Sequence, residues 1–268
     1  MKNIVREKFI EFSILDIHVP YLAILIVFLL ICSYKITFNT QDKINKIIRV
    51  TLIAFLVLSL IQLSGVMSIL LLGVFILAEF LFSRISIQSK LFVIILISVS
   101  FVFLIPVLEK AEPTNRVRGA ENIIYRTQQL MKSNDPVRRE NWESVIKVIK
   151  SNILLGIGAD GGMELLQIER DIDGEPYINE HNAHNDLLEI LLRYGLIGLS
   201  IFLLIVISLA KKAYLTRNYY FIWFLIVFMI SGMTESYLQR QIGLVFFVFV
   251  SLLFYTYKEN NLLEINTI

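Results

Sequence analysis

Glu180-His181-Asn182-Ala183-His184-Asn185-Asp186-Leu187-Leu188-Glu189-Ile190-Leu191-Leu192-Arg193-Tyr194-Gly195-Leu196-Ile197-Gly198 joins two opposite kinds of sequence. Its first third is dense in imidazole, amide and carboxylate groups. Its last third is apolar and runs on into Leu199–Ala210, a stretch fit for a membrane. A polar cluster at the mouth of a hydrophobic helix is a poor way to build a core, because buried polar groups cost free energy unless paired. It is a good way to hold a reactive group at a membrane surface. The chain has three histidines, His18, His181 and His184, so two of them fall in this stretch.

The rest of the chain agrees with a membrane setting. Hydrophobic residues make up 56% of it and charged residues 18%, with mean hydropathy +0.68, which is outside the range of an ordinary soluble domain. The net charge of +2 implies no nucleic-acid partner. The lone cysteine, Cys32, lies in an apolar run and excludes an intramolecular disulfide or a cysteine-based metal site. Met1–Asp16 lacks the pattern of a cleavable signal peptide.

A bilayer-crossing helix needs roughly 17–25 mostly apolar residues. Seven stretches qualify: 20–38, 47–63, 66–82, 91–108, 187–210, 219–236 and 242–257. The fold class expected is therefore all-α, a polytopic membrane protein, since lipid offers no partner to unpaired backbone groups. Ser64-Gly65 reads as a tight hairpin between the second and third spans, with a single bent element as the alternative. Basic residues collect between alternate spans: Lys43, Lys46 and Arg49; Arg84 and Lys90; Lys211, Lys212 and Arg217. By the positive-inside rule those loops are cytoplasmic. The segment 109–186 and the Glu235–Gln241 turn then face outward. The expected organisation is an N-terminal tail (1–19), four spans (20–108), an extracytoplasmic loop with amphipathic helices (109–186), three spans (187–257) and a cytoplasmic tail (258–268). One feature disagrees: the same count puts Lys2, Arg6 and Lys8 outside.

The long loop carries its own periodicity. Asn115–Lys132 has helical spacing, with Arg116, Arg118 and Arg126 among Ile123, Ile124 and Leu130. Ser133-Asn134-Asp135-Pro136 is a helix start, and Trp142, Val145, Ile146 and Ile149 follow at the spacing of one apolar face. Arg138 and Arg139 stand in that helix's first turn, the end that attracts anions rather than cations. A bound anion would relieve the mismatch; two solvated arginines are the alternative. Gly156-Ile157-Gly158-Ala159-Asp160-Gly161-Gly162 has neither a strand before it nor a lysine after it, so it reads as a turn between helices. Met163–Arg170 looks helical, and Asp171–Pro176 is a polar loop.

Three chemistries are candidates for the central cluster. His181 and His184, three residues apart, would share a helix face, where Glu180, Asp186 or Glu189 could complete a metal site. The order is not H-E-x-x-H, so the metal pattern is weak. No serine or cysteine sits in a nucleophile elbow. A histidine can instead act as general base toward a hydroxyl, with arginines holding a phosphate leaving group. That pair suits sugar transfer from a diphosphate carrier, and outside the cytoplasm the carrier would be a lipid. A structural alternative is that the cluster caps a helix start, with Asn182 or Asn185 as the capping residue. A solute transporter would use charges within its spans; Glu79, Glu189 and Arg193 are the candidates.

The order of these pieces resembles the O-antigen ligase and polymerase family of bacterial membrane glycosyltransferases. That family shows an arginine four residues before a tryptophan, a G-x-G turn, and H-N with leucine ahead of G-L-x-G at the start of a span. The matching residues are Arg138 with Trp142, Leu155-Gly156-Ile157-Gly158, and His184-Asn185-Asp186-Leu187-Leu188 leading to Gly195-Leu196-Ile197-Gly198. The spacing selects His184 over His181. The resemblance runs over residues 17–209, from Ile17-His18-Val19-Pro20-Tyr21 onward. It implies a metal-independent, cofactor-free, inverting transferase in the bacterial inner membrane, with its site facing outward. Its donor would be an undecaprenyl-diphosphate-linked glycan and its acceptor a glycan or lipid hydroxyl. Membrane lipids and other polysaccharide-assembly membrane proteins are the remaining partners.

On this resemblance His184 is the catalytic base and Arg138 contacts the diphosphate. Arg139, His181 and Asn185 are further substrate-binding candidates. Two departures stand out. The family's S-R-G has Met67 in the arginine's place, within Ser64-Gly65-Val66-Met67-Ser68. The family also usually has more spans ahead of this region, which would account for the basic N-terminus; a fragment, a split protein or a shortened member is expected. A non-catalytic component of a polysaccharide assembly system is the competing expectation.

Overall fold

The computed structural model describes residues 19–38, 43–63, 66–83, 86, 88, 136–159 and 162–256. The expected span at 91–108, the helix at 115–132, and the Ser64-Gly65 hairpin lie outside the described residues. Among the described residues the regular structure is helical throughout. The chain divides into two compact units, 1–135 and 136–268.

The first unit contains α1 (Val19–Phe38), α2 (Lys43–Leu63) and α3 (Val66–Phe82), close to three of the expected spans. α1 packs against both of the others. Its Ala23, Ile24, Val27 and Ile31 are buried, while α2 and α3 turn Ile48, Phe55, Leu58, Leu70 and Ile76 outward. The Tyr34 and Phe75 rings meet edge to face at 5.6 Å, joining α1 to α3.

The second unit contains α4 (Pro136–Ser151), α5 (Gly162–Ile168), the short α6 (Glu175–Ile178), α7 (Asp186–Leu215), α8 (Tyr219–Gly232), a 3-10 turn (Tyr237–Gln239) and α9 (Gln241–Thr256). α4 begins at the expected proline. Its buried stripe is Asn141, Ser144, Val145, Val148 and Ile149. Ile146, expected inside, is turned outward at 40% exposure. The stripe is rotated because polar groups near the helix start have partners in the core: Asn141 donates to Asn182 O at 2.7 Å, and Ser144 donates to Glu169 O at 3.2 Å. Val145, Val148 and Ile149 pack with Leu166, Ala183 and Leu192, and Ile157, Leu188 and Leu191 close the cluster. This core lies directly beneath the histidine loop.

α7 carries the membrane argument. Among the described residues it is the one helix long and apolar enough to cross a bilayer, and only 11% of its most apolar stretch is buried by protein. The core helix of a soluble protein would be covered. The other apolar helices are shorter, with apolar stretches such as Ile47–Ile61 and Gln241–Thr256. α7 is not continuous: Gly195 sits at φ 62, ψ −164 and breaks it. The uninterrupted helix after the break is Leu196–Leu215, about 30 Å at 1.5 Å per residue, and it is apolar as far as Ala210, about 22 Å, before Lys211 and Lys212. α8 is the most enclosed apolar helix, with Phe221, Phe224, Val227 and Phe228 buried. Phe228 meets Phe247 of α9 at 4.7 Å.

Candidate active site

The histidine loop is held from three sides. From α4, Trp142 Nε1–H donates to Ala183 O at 2.9 Å and Asn141 Nδ2 donates to Asn182 O. From below, the buried Arg170 donates to Asn141 Oδ1 at 2.5 Å, to Gln167 Oε1 at 3.1 Å and to His181 O. Burial pulls the Arg170 guanidinium down to about 10, against the opposite pull of Glu189 and Glu140, so it stays charged at neutral pH. From α7, Glu189 Oε2 accepts the Ala183 N–H at 2.9 Å. Glu189 Oε1 accepts from Arg193 Nε at 2.6 Å, and Arg193 also donates to Ala159 O. A chain of charge-assisted bonds thus runs from the loop through α7 to the G-x-G turn.

Asn185 caps α7. Its Oδ1 accepts from Leu187 N–H at 2.9 Å and Leu188 N–H at 3.1 Å, and its Nδ2 donates to Met233 O at 3.1 Å. The backbone N–H of Asn185 donates to Ser236 Oγ at 3.1 Å, and Asp186 Oδ1 accepts from Leu238 N–H at 2.8 Å. These bonds bring the turn after α8 against the start of α7. Glu235 arrives with it, and its Oε2 lies 3.0 Å from His184 Nδ1.

The His184 backbone is in the left-handed region, φ 46, which costs a non-glycine residue roughly 1–3 kcal/mol. The surroundings enforce it: Asn182 Oδ1 accepts the His184 N–H at 2.9 Å, and Asn182 Nδ2 donates to Gln239 Oε1 at 2.6 Å. The two histidine rings meet edge to face at 5.3 Å. Burial, and secondarily the neighbouring His184, hold the His181 imidazole below its ordinary range. Both rings line a cavity of about 380 Å³ with Met163, Asn179, Glu180, Asn182, Gln239 and Arg240.

The expected site residues divide. His184 and His181 come together at the cavity. Asn185 holds the loop in place. Arg139 points away into an exposed pair with Glu143 at 3.7 Å. Arg138 is half-buried. One turn before Asn141 and Trp142, it shares their helix face, but it does not line the cavity. Sequence reasoning missed Glu235, Arg170 and Arg240. Glu235 and Arg240 are the charged residues of the turn after α8, a faint signal. Arg170 lies just past α5 and carried none.

The glycines have a shared cause. An added Cβ on Gly156 (φ 70) would meet Arg193 C at 2.5 Å, and one on Gly195 would meet Leu154 O at 2.2 Å. The G-x-G turn and the α7 break therefore touch backbone to backbone. Ile157 N–H and Gly158 N–H donate to Leu192 O at 3.0 Å and Arg193 O at 2.9 Å, and Leu196 N–H returns to Ile153 O at 2.8 Å. Two motifs about forty residues apart in sequence are one structural joint.

A family model described as O-Antigen ligase matches residues 47–203, more than half of the chain, and includes the joint, Trp142 and His184. The chain belongs to the O-antigen ligase family. Comparison with curated proteins gives no match. Membership makes the chain, at a coarse level, an O-antigen ligase-like protein of surface-polysaccharide synthesis, acting on glycan and lipid substrates. The family match is narrower than the resemblance over 17–209. In this O-antigen ligase family member, no group of three or more His, Cys, Asp or Glu side chains among the described residues is set to hold a metal ion.

Proposed function

We propose that this chain is a polytopic membrane glycosyltransferase that moves a glycan from an undecaprenyl-diphosphate carrier to a hydroxyl of a glycan or lipid. The observation that carries the reading is the His184 Nδ1–Glu235 Oε2 contact at 3.0 Å beside a cavity that the His184 ring lines. A carboxylate on Nδ1 selects the tautomer with the proton there and leaves the Nε2 lone pair as the base. Nε2 takes the acceptor's proton as its oxygen attacks the anomeric carbon. The bond from that carbon to the diphosphate oxygen breaks on the opposite face, so the configuration inverts. The carrier diphosphate leaves as an anion, and Glu235 stabilises the imidazolium.

Arg138 is the candidate to receive the diphosphate, because it extends the helix face that already holds the histidine loop. Arg139, His181 and Asn185 remain in the proposal as substrate-side or positioning residues. The chemistry needs no metal or cofactor. In the same reading residues 20–108 and 187–257 carry seven spans in the bacterial inner membrane, and 109–186 faces outward. The uncovered apolar face of α7 and the outward side chains of α2 and α3 support a lipid surround. Glu189 and Arg193 pair with each other ahead of the Gly195 break, which favours a structural use of these charges over a transport path.

The test is a surface-glycan ladder on a gel from cells lacking the chain, restored with it, and restored with His184→Ala at matched membrane levels. The intact chain should restore the ladder and the variant should not, a loss on the order of 10²–10⁴ in rate. Equal ladders in the two restored strains would remove the general base and favour a non-catalytic assembly component.

A further inference from the structure

The same turn that meets Gly195 faces two ways. Ile157 closes the core under the histidine loop. Ile153, Leu154 and Leu155 are exposed at 45%, 63% and 74%. Three adjacent large apolar side chains on a loop tip have no reason to face water. Their height along α7 is set by hydrogen bonds: Ile153 O accepts from Leu196 N–H at 2.8 Å and Leu154 O accepts from Ile197 N–H at 3.4 Å. Leu196 and Ile197 open the long apolar half of α7, and both are themselves exposed. The loop tip therefore lies level with the first turn of that half.

We infer that Ile153–Leu155 form a wedge seated among the acyl chains of the outer leaflet, beside the start of the α7 span. The backbone is paired with α7 on one side. Irregular backbone exposed to lipid is excluded from the hydrocarbon region, so the wedge's backbone lies at the interface against α7 and its side chains alone reach the acyl chains. Asn152 O accepts from Gly156 N–H at 2.8 Å, the carbonyls of Ile153 and Leu154 take α7 donors, and the N–H groups of Ile157 and Gly158 reach α7 carbonyls. The exchange serves α7 equally. The break at Gly195 strips Leu196 and Ile197 of helical partners for their N–H groups, and the wedge supplies them.

The consequence is a fixed height for the reaction. Asp186 to Gly195 is about 14 Å of helix at 1.5 Å per residue. The stretch from Asp186 to the joint also carries the Glu189 bond to the histidine loop. A wedge held by lipid would keep His184 at a set distance above the bilayer, where the headgroup of a lipid-borne donor must lie.

This inference rests on the reading of α7 as a span, and the experiment separates the two. In the full-length chain with Cys32→Ser, the single substitutions Leu155→Cys, Leu154→Cys and Ile205→Cys are each labelled with an environment-sensitive fluorophore. Each protein is reconstituted into phosphatidylcholine vesicles with and without bromine on the upper acyl chain. The expected result is blue-shifted emission at 154 and 155 that brominated lipid quenches, with quenching also at 205. Quenching at 205 alone overturns the wedge and leaves the span standing. Blue-shifted emission at 154 and 155 without quenching assigns the wedge to a protein contact and also overturns it. Absence of quenching at all three sites overturns the span and the wedge together.

Discussion

The two halves of α7 obey opposite rules. Before Gly195 the helix buries charge: Asp186 and Glu189 are each 4% exposed, and Arg193 is tied to Glu189. After Gly195 it exposes hydrocarbon: Ile197, Ile201, Leu204 and Ile207 are all more than half uncovered. A single solvent cannot favour both. Buried ions are tolerated when they have partners, and the loop and the G-x-G turn provide them for Glu189 and Arg193, while Asp186 Oδ2 is left without a hydrogen bond. Exposed leucine and isoleucine are at rest when the surroundings are lipid. The difference teaches that burial has to be judged against the local solvent, and in the proposed membrane setting the Gly195 break is where that solvent would change.

The sharpest way to break the contrast is to exchange the kinds of residue. Glu189→Ala removes the acceptor of both the Ala183 N–H and Arg193 Nε, leaving a half-buried guanidinium with Ala159 O as its remaining partner and no carboxylate. It should cost about 3–5 kcal/mol in thermal unfolding in detergent. Ile205→Ala in the apolar half should stay within about 0.5 kcal/mol. Equal losses would mean that both halves are packed alike and the two-solvent reading is wrong.

The break itself comes next. Gly195→Ala places a Cβ against Leu154 O in a left-handed conformation, a penalty of roughly 1–3 kcal/mol from backbone strain before the clash is counted. Both unfolding temperature and glycan transfer should fall, because the histidine loop and the span are joined there. A smaller loss is expected from Trp142→Phe, which keeps an aromatic side chain, though a smaller one, and deletes the bond to Ala183 O. About 1 kcal/mol in stability is the expected size, with a larger proportional loss of transfer if the bond sets the position of His184.

The mildest effect concerns acid. The folded protein disfavours protonated His181, chiefly through burial, whereas the unfolded chain takes up that proton at the ordinary histidine range. The His181 contribution is thus present above about pH 6.5 and declines as the pH falls through the unfolded value, opposed over the same window by Asp186, whose carboxyl burial raises to about 7 so that its protonation favours folding. His181→Gln should flatten that slope in unfolding midpoints measured between about pH 7 and pH 5. An unchanged slope would place the acid sensitivity elsewhere.

Much of the site was legible because local rules wrote it. The start of α4 at Pro136, the Asn185 cap and the prominence of His184 follow from short-range chemistry. The face of α4 was misjudged by one position, since apolar spacing took no account of Asn141 and Ser144 seeking partners inside. Glu235 was read only as part of a turn: a carboxylate fifty-one residues from its histidine leaves no periodic trace. Arg170 was invisible for the same reason.

The amino-acid order by itself determined the helical class, the apolar stretches and the family motifs. Those are set by composition and near-neighbour spacing, which act within a few turns of chain. Tertiary structure alone decided that Glu235 meets His184, that Arg170 holds the loop, and that the two glycine motifs form one joint at a break in α7. Those outcomes depend on which backbone carbonyls and carboxylates come within about 3 Å of a donor, a distance that only packing can set.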